Sequence, residues 1–302
     1  MKTTTSTVLM VPPESFAFNN ETAATNSFQV SSQSDALPQK ALNEFSNMVS
    51  ILKEQGINVL TLNQGKNLPD AVFPNNWFST HRDAFGNDSL IIYPMLTKNR
   101  QAEVNIDGLL EVLANAGYKY SNVIDLRNEN NDVLEGTGSL VLDKENKVLY
   151  ACLSPRTSYS LVIKVANILG YSPVIFDGVD ANNHPVYHTN VIMGLAKHYA
   201  IICLESIPDS KQKMQVVDSL IRSNKQIIDI SLEQASHMCG NVLELFQNTN
   251  RSILILSKQA EQAFLPSQLK LIQNFSKLTV IDVPTIEAVG GGSVRCMMAE
   301  IN

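Results

Sequence analysis

A short β-branched segment recurs five times along the 302-residue chain, and this repeat limits the possible folds more than any other feature. Successive segments start 64, 51, 53 and 53 residues apart. They are VLTL (59–62), VIDL (123–126), VIF (174–176), IIDI (227–230) and VIDV (280–283). Each follows a stretch in which apolar residues recur at helical spacing. Such a period is typical of folds in which neighbouring repeats bury each other's apolar faces.

Residues typical of strands and turns lie between the five segments. Gly56, Gly117 and Gly170 follow the first three helical stretches, as a residue beyond a helix end often does. Pairs of strand-like runs joined by turns of several residues have the pattern of a β-hairpin. They are found at 139–154, 191–207 and 241–258, with the turns DKEN, GLAKH and QNTNR. The repeated unit is therefore a strand, a hairpin and a helix, with a permuted start.

Five such units predict one α/β domain over residues 1–302, in which the units close into a ring. Length alone favours two domains, since domains cluster near ~100–150 residues. An ordinary open α/β sheet is the alternative that the spacing leaves open, because helices and strands alternate there as well.

Composition and charge narrow the class of protein. The chain is 44% hydrophobic and 17% charged, which is ordinary for a folded globular protein. Its net charge is −6 and it has no basic cluster, so nucleic acid is not an expected partner. No apolar run reaches the ~18 residues of a membrane-spanning helix, and the N-terminal residues do not have the pattern of a signal peptide. We therefore expect a cytoplasmic protein that binds a small molecule and does not contact a membrane.

The cysteines and one histidine raise the question of a metal site. Four cysteines without paired C-x-x-C spacing favour reduced thiols over a zinc centre. Cys152 and Cys203 lie inside strand-like runs and are predicted to fill the core. His237 and Cys239 in SHMC give two possible ligands without a third. The sequence thus predicts neither a metal nor a cofactor.

Polar and reactive side chains follow each of the five segments at a similar distance. Counted from the segment start, the offsets are 17, 12, 14, 14 and 16. The residues are Asn76, Glu135, His188, Asn241 and Cys296, in that order. Because equivalent loops of a ring converge on one axis, we expect these side chains to form one site.

Three of these residues fit nucleophilic catalysis. A thiolate nucleophile needs a proton shuttle, and the shuttle needs an orienting group. Cys296 follows the glycine-rich segment 290–292, where the backbone can approach a substrate closely. His188 is the candidate shuttle because imidazole titrates near neutral pH. Glu135 can orient the imidazole or hold a substrate nitrogen.

Six motifs, in one order, resemble those of the guanidino-group-modifying enzymes, the superfamily of arginine deiminases, dimethylarginine dimethylaminohydrolases and amidinotransferases. They are FNNETAATNSFQ, PDAVFPNNWFSTH, LEGTGSLVLD, LSPRTS, YHTNV and GGSVRCMMAE. The sequence is most similar to the bacterial citrulline ureidases of this superfamily. The resemblance implies a five-bladed pseudo-symmetric α/β propeller, the pentein fold, which agrees with the five repeats.

The resemblance also implies roles for individual residues. Cys296, His188 and Glu135 match the catalytic cysteine, histidine and acid. Asp70 matches an acidic residue near the substrate, and two arginines match a clamp for the substrate carboxylate, which bidentate geometry favours. The substrate-binding residues implied in this way are Asp70, Arg100, Arg156 and Asn26.

Two departures from the family pattern bear on the substrate. Deiminases commonly have carboxylates where this chain has Asn76 and Asn190, and those carboxylates pair with a guanidinium cation. A buried cation without a counter-charge is costly, whereas an amide suits a neutral group as donor and acceptor. We therefore add both asparagines to the substrate-binding residues and predict a ureido substrate. The alternative is that they are ordinary loop asparagines.

The sequence thus predicts a cysteine hydrolase of citrulline that gives ornithine, carbon dioxide and ammonia through a covalent thiocarbamate. It needs no cofactor, and it can form a homo-oligomer. One alternative is an arginine dihydrolase, or a deiminase-type hydrolase of arginine or methylated arginine. Another is a non-catalytic binding factor, like the ribosome anti-association factor of this fold. The joint presence of Cys296, His188, Glu135 and two arginines argues against the binding factor.

Overall fold

The computed structural model describes residues 6–32, 34–128, 132–247 and 252–302. The strands of these residues are β1 Thr7–Met10, β2 Asn58–Thr61, β3 Phe78–Arg82, β4 Asp88–Ile92, β5 Asn122–Asp125, β6 Leu140–Asp143, β7 Val148–Leu153, β8 Ser172–Asp177, β9 Met193–Leu195, β10 Tyr199–Ile202, β11 Gln226–Asp229, β12 Leu243–Phe246, β13 Ser252–Ser257, β14 Lys277–Ile281 and β15 Ala299–Glu300. The helices are α1 Asn20–Ala23, α2 Leu37–Glu54, α3 Lys98–Gln101, α4 Ile106–Asn115, α5 Gly136–Ser139, α6 Tyr159–Leu169, α7 Thr189–Ile192, α8 Ser210–Arg222, α9 Leu232–Ser236, α10 Lys258–Ala263 and α11 Pro266–Gln273.

The described residues form five three-stranded sheets with one common plan. Two antiparallel strands make a hairpin, and a third strand pairs parallel with the second after a crossing helix. Four sheets follow chain order: β3-β4-β5, β6-β7-β8, β9-β10-β11 and β12-β13-β14. Their crossing helices are α4, α6, α8 and α11. The predicted five-unit α/β architecture is confirmed, and the alternative of one open sheet is wrong.

The fifth sheet joins the two ends of the described chain. Strand β15 pairs antiparallel with β1, with Val8 opposite Glu300 and Leu9 opposite Ala299. Strand β1 then pairs parallel with β2 after the crossing helix α2. The first strands of neighbouring units also contact one another, since β15 contacts β3, β6 contacts β9 and β9 contacts β12. The repeat therefore has the permuted start that the sequence indicated.

The burial of each strand follows from its place in the sheet. Central strands such as β1 and β10 are buried at every position, because strands and helices cover both of their faces. The third strands are more exposed, and β5 alternates between partly buried and exposed residues. The sequence located these third strands, and each begins one to three residues earlier than predicted because its first residues are polar or partly exposed.

The predicted turns and helix-ending glycines are confirmed where the structure describes them. Gly56, Gly117 and Gly170 have φ angles of 77°, 87° and 68°, the left-handed region that glycine adopts without steric cost. The turns DKEN and GLAKH connect β6 to β7 and β9 to β10. The third predicted turn, QNTNR, falls largely on 248–251, outside the described residues.

The three cysteines other than Cys296 fill the core. Cys152 and Cys203 are fully buried, as predicted. Cys239 is also buried, and its sulfur lies 3.4 Å from the carbonyl oxygen of Ala260. In the part of the chain that the structure describes, no group of three or more His, Cys, Asp or Glu residues can hold a metal ion. None of the helices there is long and apolar enough to cross a membrane.

Candidate active site

Loops from several units converge on one small pocket. Most of the predicted site residues line it. They are Asn26, Asp70, Asn76, Arg100, Arg156, His188 and Cys296. The other two, Glu135 and Asn190, lie behind the pocket wall, where Glu135 contacts His188 and Asn190 contacts Cys296. The structure therefore brings all nine predicted residues together.

Glu135 and His188 occupy equivalent places in successive units. Glu135 directly precedes α5, which runs into β6, and His188 directly precedes α7, which runs into β9. The helical turns α5 and α7 contact each other, and α5 also contacts the 3₁₀ turn Pro74–Asn76 of the preceding unit. This local plan explains why the polar residues recur at similar offsets in the sequence.

A buried hydrogen bond joins the histidine to the acid. Nε2 of His188 lies 2.8 Å from Oε2 of Glu135, and both side chains are buried. The backbone N–H of Leu96 donates to the other carboxylate oxygen at 3.1 Å. An ionised Glu135 accepts only, so it places the proton of a neutral imidazole on Nε2 and leaves Nδ1 as an acceptor.

The protonation states follow from burial and neighbouring charge. Burial lowers the pKa of His188 to about 4, although the hydrogen bond with Glu135 opposes this shift. Burial alone works to raise the pKa of Glu135, but the nearby Arg156 and the His188 contact outweigh it and hold that pKa below its usual range. At neutral pH the pair is therefore a carboxylate and a neutral imidazole, which can act as a general base.

The sulfur of Cys296 lies among amide groups. Nδ2 of Asn241 lies 3.2 Å from it and Nδ2 of Asn190 lies 3.5 Å from it. Asn190 therefore contacts the candidate nucleophile, whereas the sequence placed it against the substrate. In the described part of the chain the sulfur and His188 are not hydrogen-bonded to each other, although both line the pocket. A reacting carbon can thus sit between them.

Arg100 is held by a buried carboxylate. Its Nε and Nη2 donate to the two oxygens of Glu103 at 2.9 and 2.8 Å, a bidentate pair in which both side chains are almost fully buried. Nη2 also donates to the carbonyl oxygen of Phe73 at 3.1 Å, and Nη1 donates to Oδ1 of Asn76 at 2.8 Å. Much of the hydrogen-bonding capacity of Arg100 is therefore used to fix the loop that carries Asn76.

The contact with Arg100 fixes the orientation of the Asn76 amide. A guanidinium group only donates, so Oδ1 must face Arg100 and Nδ2 must face the other way. Nδ2 is buried and has no hydrogen-bond partner among the described residues. A Cβ on Gly138 would lie 2.4 Å from this Nδ2 and 2.7 Å from Nδ1 of His188. Only glycine at 138 leaves room for both groups to approach the same point.

Asp70 presents one oxygen without a protein partner. Its Oδ2 accepts from Asn19 at 2.7 Å and from Thr22 at 3.1 Å, while Oδ1 is buried and unpaired in the described part of the chain. Burial raises the pKa of Asp70, and the positive charge of Arg100 opposes this shift. The free oxygen can accept a hydrogen bond from a ligand N–H group.

Arg156 and Asn26 complete the pocket wall. Arg156 donates to Oε2 of Glu135 at 3.4 Å and to Thr25 at 2.7 Å, and its guanidinium carbon lies 5.1 Å from the ring centroid of Tyr187. Asn26 donates to the carbonyl oxygen of Gly291 at 3.4 Å and so holds the glycine-rich loop. Arg156 is thus the less neutralised of the two arginines, since its carboxylate partner is shared with a histidine.

One residue of the site, Glu103, was missed in the sequence. It belongs to none of the motifs, and its position three residues after Arg100 was the one sign of a pair. Asn241 was expected at the site, because it occurs in the fourth loop at the same offset as His188 does in the third, but no role was predicted for it.

Solved structures with the same fold include guanidino-group enzymes. The N-terminal domain of ArgZ, an arginine dihydrolase from the ornithine–ammonia cycle in cyanobacteria, was solved as a cysteine-to-serine mutant with substrate, and it is 17% identical, with a TM-score of 0.75 and 98% of each chain covered. A cysteine-to-alanine mutant of AgrE with L-arginine is 19% identical, with a TM-score of 0.75, over 98% of this chain and 40% of that one. A dimethylarginine dimethylaminohydrolase adduct with S-methyl-L-thiocitrulline is 17% identical, with a TM-score of 0.65, over 98% and 100% of the chains.

The chain spans about 40% of the longer ArgZ and AgrE chains that it matches. No curated protein sequence matches it. Residues 12–302 match the family model of eukaryotic N,N-dimethylarginine dimethylhydrolase. Because this match takes in nearly the whole chain, the protein belongs to the N,N-dimethylarginine dimethylhydrolase family.

Proposed function

We propose that this protein is a cysteine hydrolase that cleaves a C–N bond in the ureido group of citrulline. Membership of a hydrolase family that acts on dimethylarginine supports attack on a carbon bonded to nitrogen. The observation that carries the choice of citrulline is the orientation of Asn76, whose Nδ2 faces away from Arg100 and has no partner among the described residues.

The direction of this amide separates the two candidate substrates. A ureido group offers an oxygen that accepts hydrogen bonds, whereas a guanidinium cation only donates. The Asn76 donor can therefore bind the ureido oxygen, and it would stay unpaired opposite a guanidinium. An unsatisfied buried donor costs about 1–3 kcal/mol.

The first half of the proposed reaction forms a thiocarbamate. The thiol proton of Cys296 passes to His188 as the substrate fills the pocket, and the sulfur attacks the ureido carbon. The bond between this carbon and the terminal nitrogen breaks, and that nitrogen takes the proton from His188 and leaves as ammonia. The carbonyl carbon then bonds to sulfur and to the nitrogen of the ornithine side chain.

The second half releases the enzyme. His188 takes a proton from water, and the water oxygen bonds to the thiocarbamate carbon. The carbon–sulfur bond breaks, and the proton returns to the sulfur of Cys296. The product is a carbamic acid, which decomposes to ornithine and carbon dioxide. Glu135 accepts from the imidazole throughout and favours its protonated form at each transfer.

Binding of the amino-acid end is assigned to Arg156 and Asp70. Arg156 faces the pocket with a guanidinium that shares its carboxylate partner with His188, so it suits the substrate carboxylate. Asp70 suits the substrate ammonium through its unpaired Oδ1. Arg100, which the sequence placed on the carboxylate, is assigned to holding Asn76 instead.

One observation favours a second candidate, an arginine dihydrolase. The free oxygen of Asp70 is also an acceptor that a guanidinium can use. The solved neighbours ArgZ and AgrE are in keeping with it, since ArgZ is an arginine dihydrolase and AgrE was solved with L-arginine. In that case the same pocket would take arginine through citrulline to ornithine.

A substrate panel tests the proposal directly. Release of ammonia and ornithine from citrulline, arginine and dimethylarginine would be measured side by side, with carbamoylputrescine as the citrulline analogue that lacks the carboxylate. We expect the highest kcat/KM for citrulline and a loss of at least tenfold for carbamoylputrescine, because one charged hydrogen bond is worth about 1.5–3 kcal/mol. Faster turnover of arginine than of citrulline would favour the dihydrolase, and no turnover of any compound would contradict both.

Changing Asn76 to aspartate should shift the preference of the pocket from citrulline toward arginine. One carboxylate oxygen keeps the contact with Arg100, while the other replaces the amide donor with a negatively charged acceptor. We expect kcat/KM for citrulline to fall and the inhibition constant of arginine to improve, so that their ratio changes about tenfold or more. Asn76→Ala is the matched control, since it removes the donor without adding charge and should weaken citrulline use alone. An unchanged ratio in Asn76→Asp would mean that this side chain does not read substrate charge.

A further inference from the structure

Asn241 is a fully buried amide that the proposed reaction does not yet use. It lies in the loop of the fourth unit, just before β12. Its Nδ2 lies 3.2 Å from the sulfur of Cys296, nearer than the amide of Asn190 at 3.5 Å. The side chain thus touches the reacting atom.

The orientation of this amide is fixed by the backbone. The N–H of Arg295 donates to Oδ1 of Asn241 at 3.1 Å, and an N–H group can only donate. Nδ2 must therefore face the other side, where it donates to the carbonyl oxygen of Asn190 at 3.2 Å and to the sulfur at 3.2 Å. Because Arg295 directly precedes Cys296 in the chain, the same amide also positions the backbone that carries the nucleophile.

The chemical consequence depends on the protonation state of the sulfur. A thiol is a weak acceptor, whereas a thiolate accepts strongly, so donors aimed at sulfur favour the charged form. In the part of the chain that the structure describes, the side-chain groups within hydrogen-bond distance of this sulfur are the amides of Asn190 and Asn241. No lysine, arginine or histidine there takes that place.

We infer that Asn241 is a catalytic residue, which together with Asn190 stabilises the thiolate that forms when the Cys296 proton passes to His188, and aims the sulfur into the pocket. This inference rests on the proposed function in one respect, that Cys296 is the nucleophile. Two neutral donors stabilise the thiolate without a cation, so Arg156 stays available for the substrate carboxylate.

The test is the pH dependence of alkylation at Cys296. Asn241→Asp keeps the acceptor toward Arg295 but replaces the donor toward sulfur with an oxygen. The rate of modification by iodoacetamide would be followed by peptide mass spectrometry, which separates Cys296 from the three other cysteines. We expect the pH of half-maximal rate to rise by about one unit, which is about tenfold less reaction at neutral pH. Turnover should recover as the pH is raised, which a merely structural defect would not do.

The other ionisable groups near the sulfur are unchanged in this variant. They are Asp70, Arg100, Arg156, Tyr187 and His188, with Glu135 behind the imidazole. Because the new carboxylate is itself a charge beside the sulfur, the shift reports on the amide only when the uncharged Asn241→Ser moves the midpoint in the same direction. Asn122→Asp makes the same chemical change in β5, away from the pocket, and should leave the profile as in the parent. Asn241→Ser is the second variant if the aspartate does not fold, and it should shift the profile in the same direction.

A midpoint within about 0.2 pH units of the parent, in a folded variant, would overturn the inference. The outcome is separate from the substrate question, because alkylation needs no substrate. If the midpoint shifts while citrulline is not turned over, the proposed function fails and the role of Asn241 stands. If citrulline is turned over and the midpoint does not shift, only the role of Asn241 fails.

Discussion

Replacing Cys296 with alanine should lower kcat for citrulline by at least about 10⁴-fold, because removal of a nucleophile abolishes the covalent route. The side chain is small and buried, so the fold should be little changed. The measurement is ornithine release by the parent and the variant, with the covalent adduct followed by intact mass. The parent should show a transient mass increase during turnover, and the variant should not.

Cys203→Ala is the matched control for that loss. Cys203 is equally buried but lies after β10, in the core of the fourth unit and outside the pocket lining. It should keep kcat within about twofold and lower the free energy of unfolding by about 1 kcal/mol. Substantial turnover in Cys296→Ala, with an intact fold, would remove the thiocarbamate from the mechanism.

Changing Glu103 to leucine should produce the largest loss of stability. The substitution leaves Arg100 as a buried cation without its carboxylate partner, and such a change costs about 3–5 kcal/mol. The free energy of unfolding would be measured by urea denaturation of the parent and the variant. Citrulline turnover should fall as well, since Arg100 no longer fixes the amide of Asn76.

A double variant separates stability from positioning. Arg100→Met combined with Glu103→Leu replaces the ion pair with apolar side chains, which is often neutral for stability. We expect it to recover much of the unfolding free energy lost by the single variant. Turnover should stay low, because Asn76 has lost the donor that orients its amide. If the double variant is as active as the parent, the pair serves the fold alone.

The sequence could predict the features of the fold and of the site that depend on periodicity and residue type. Five apolar segments at a near-constant period predicted the five units. The burial of strands and of helix faces sets the spacing of apolar residues in each kind of element. The equivalent offsets of Glu135, His188 and Cys296 then brought them to one place, since a residue at the same point of each unit faces the same axis. This reasoning needs no atomic detail.

The remaining features depend on distances that a sequence does not contain. Arg100 lies on the pocket as expected, yet which of its N–H groups face Glu103 and which face Asn76 is set by packing. The same holds for Asn190, whose amide contacts the sulfur although its type predicted a substrate contact. Strand β15, which completes the first sheet, was also not located in the sequence, because a two-residue strand gives too short a pattern.

The pairing of β15 with β1 has a consequence for the order in which the protein becomes active. Cys296 is carried just ahead of the strand that completes the first sheet, so its position depends on a contact between residues almost the whole chain apart. Contacts of this separation form late in folding, because a long loop must first be closed. We therefore expect the sulfur to enter the pocket only when β15 pairs with β1, whereas Glu135 and His188, which are nearer in the chain, can pair before that.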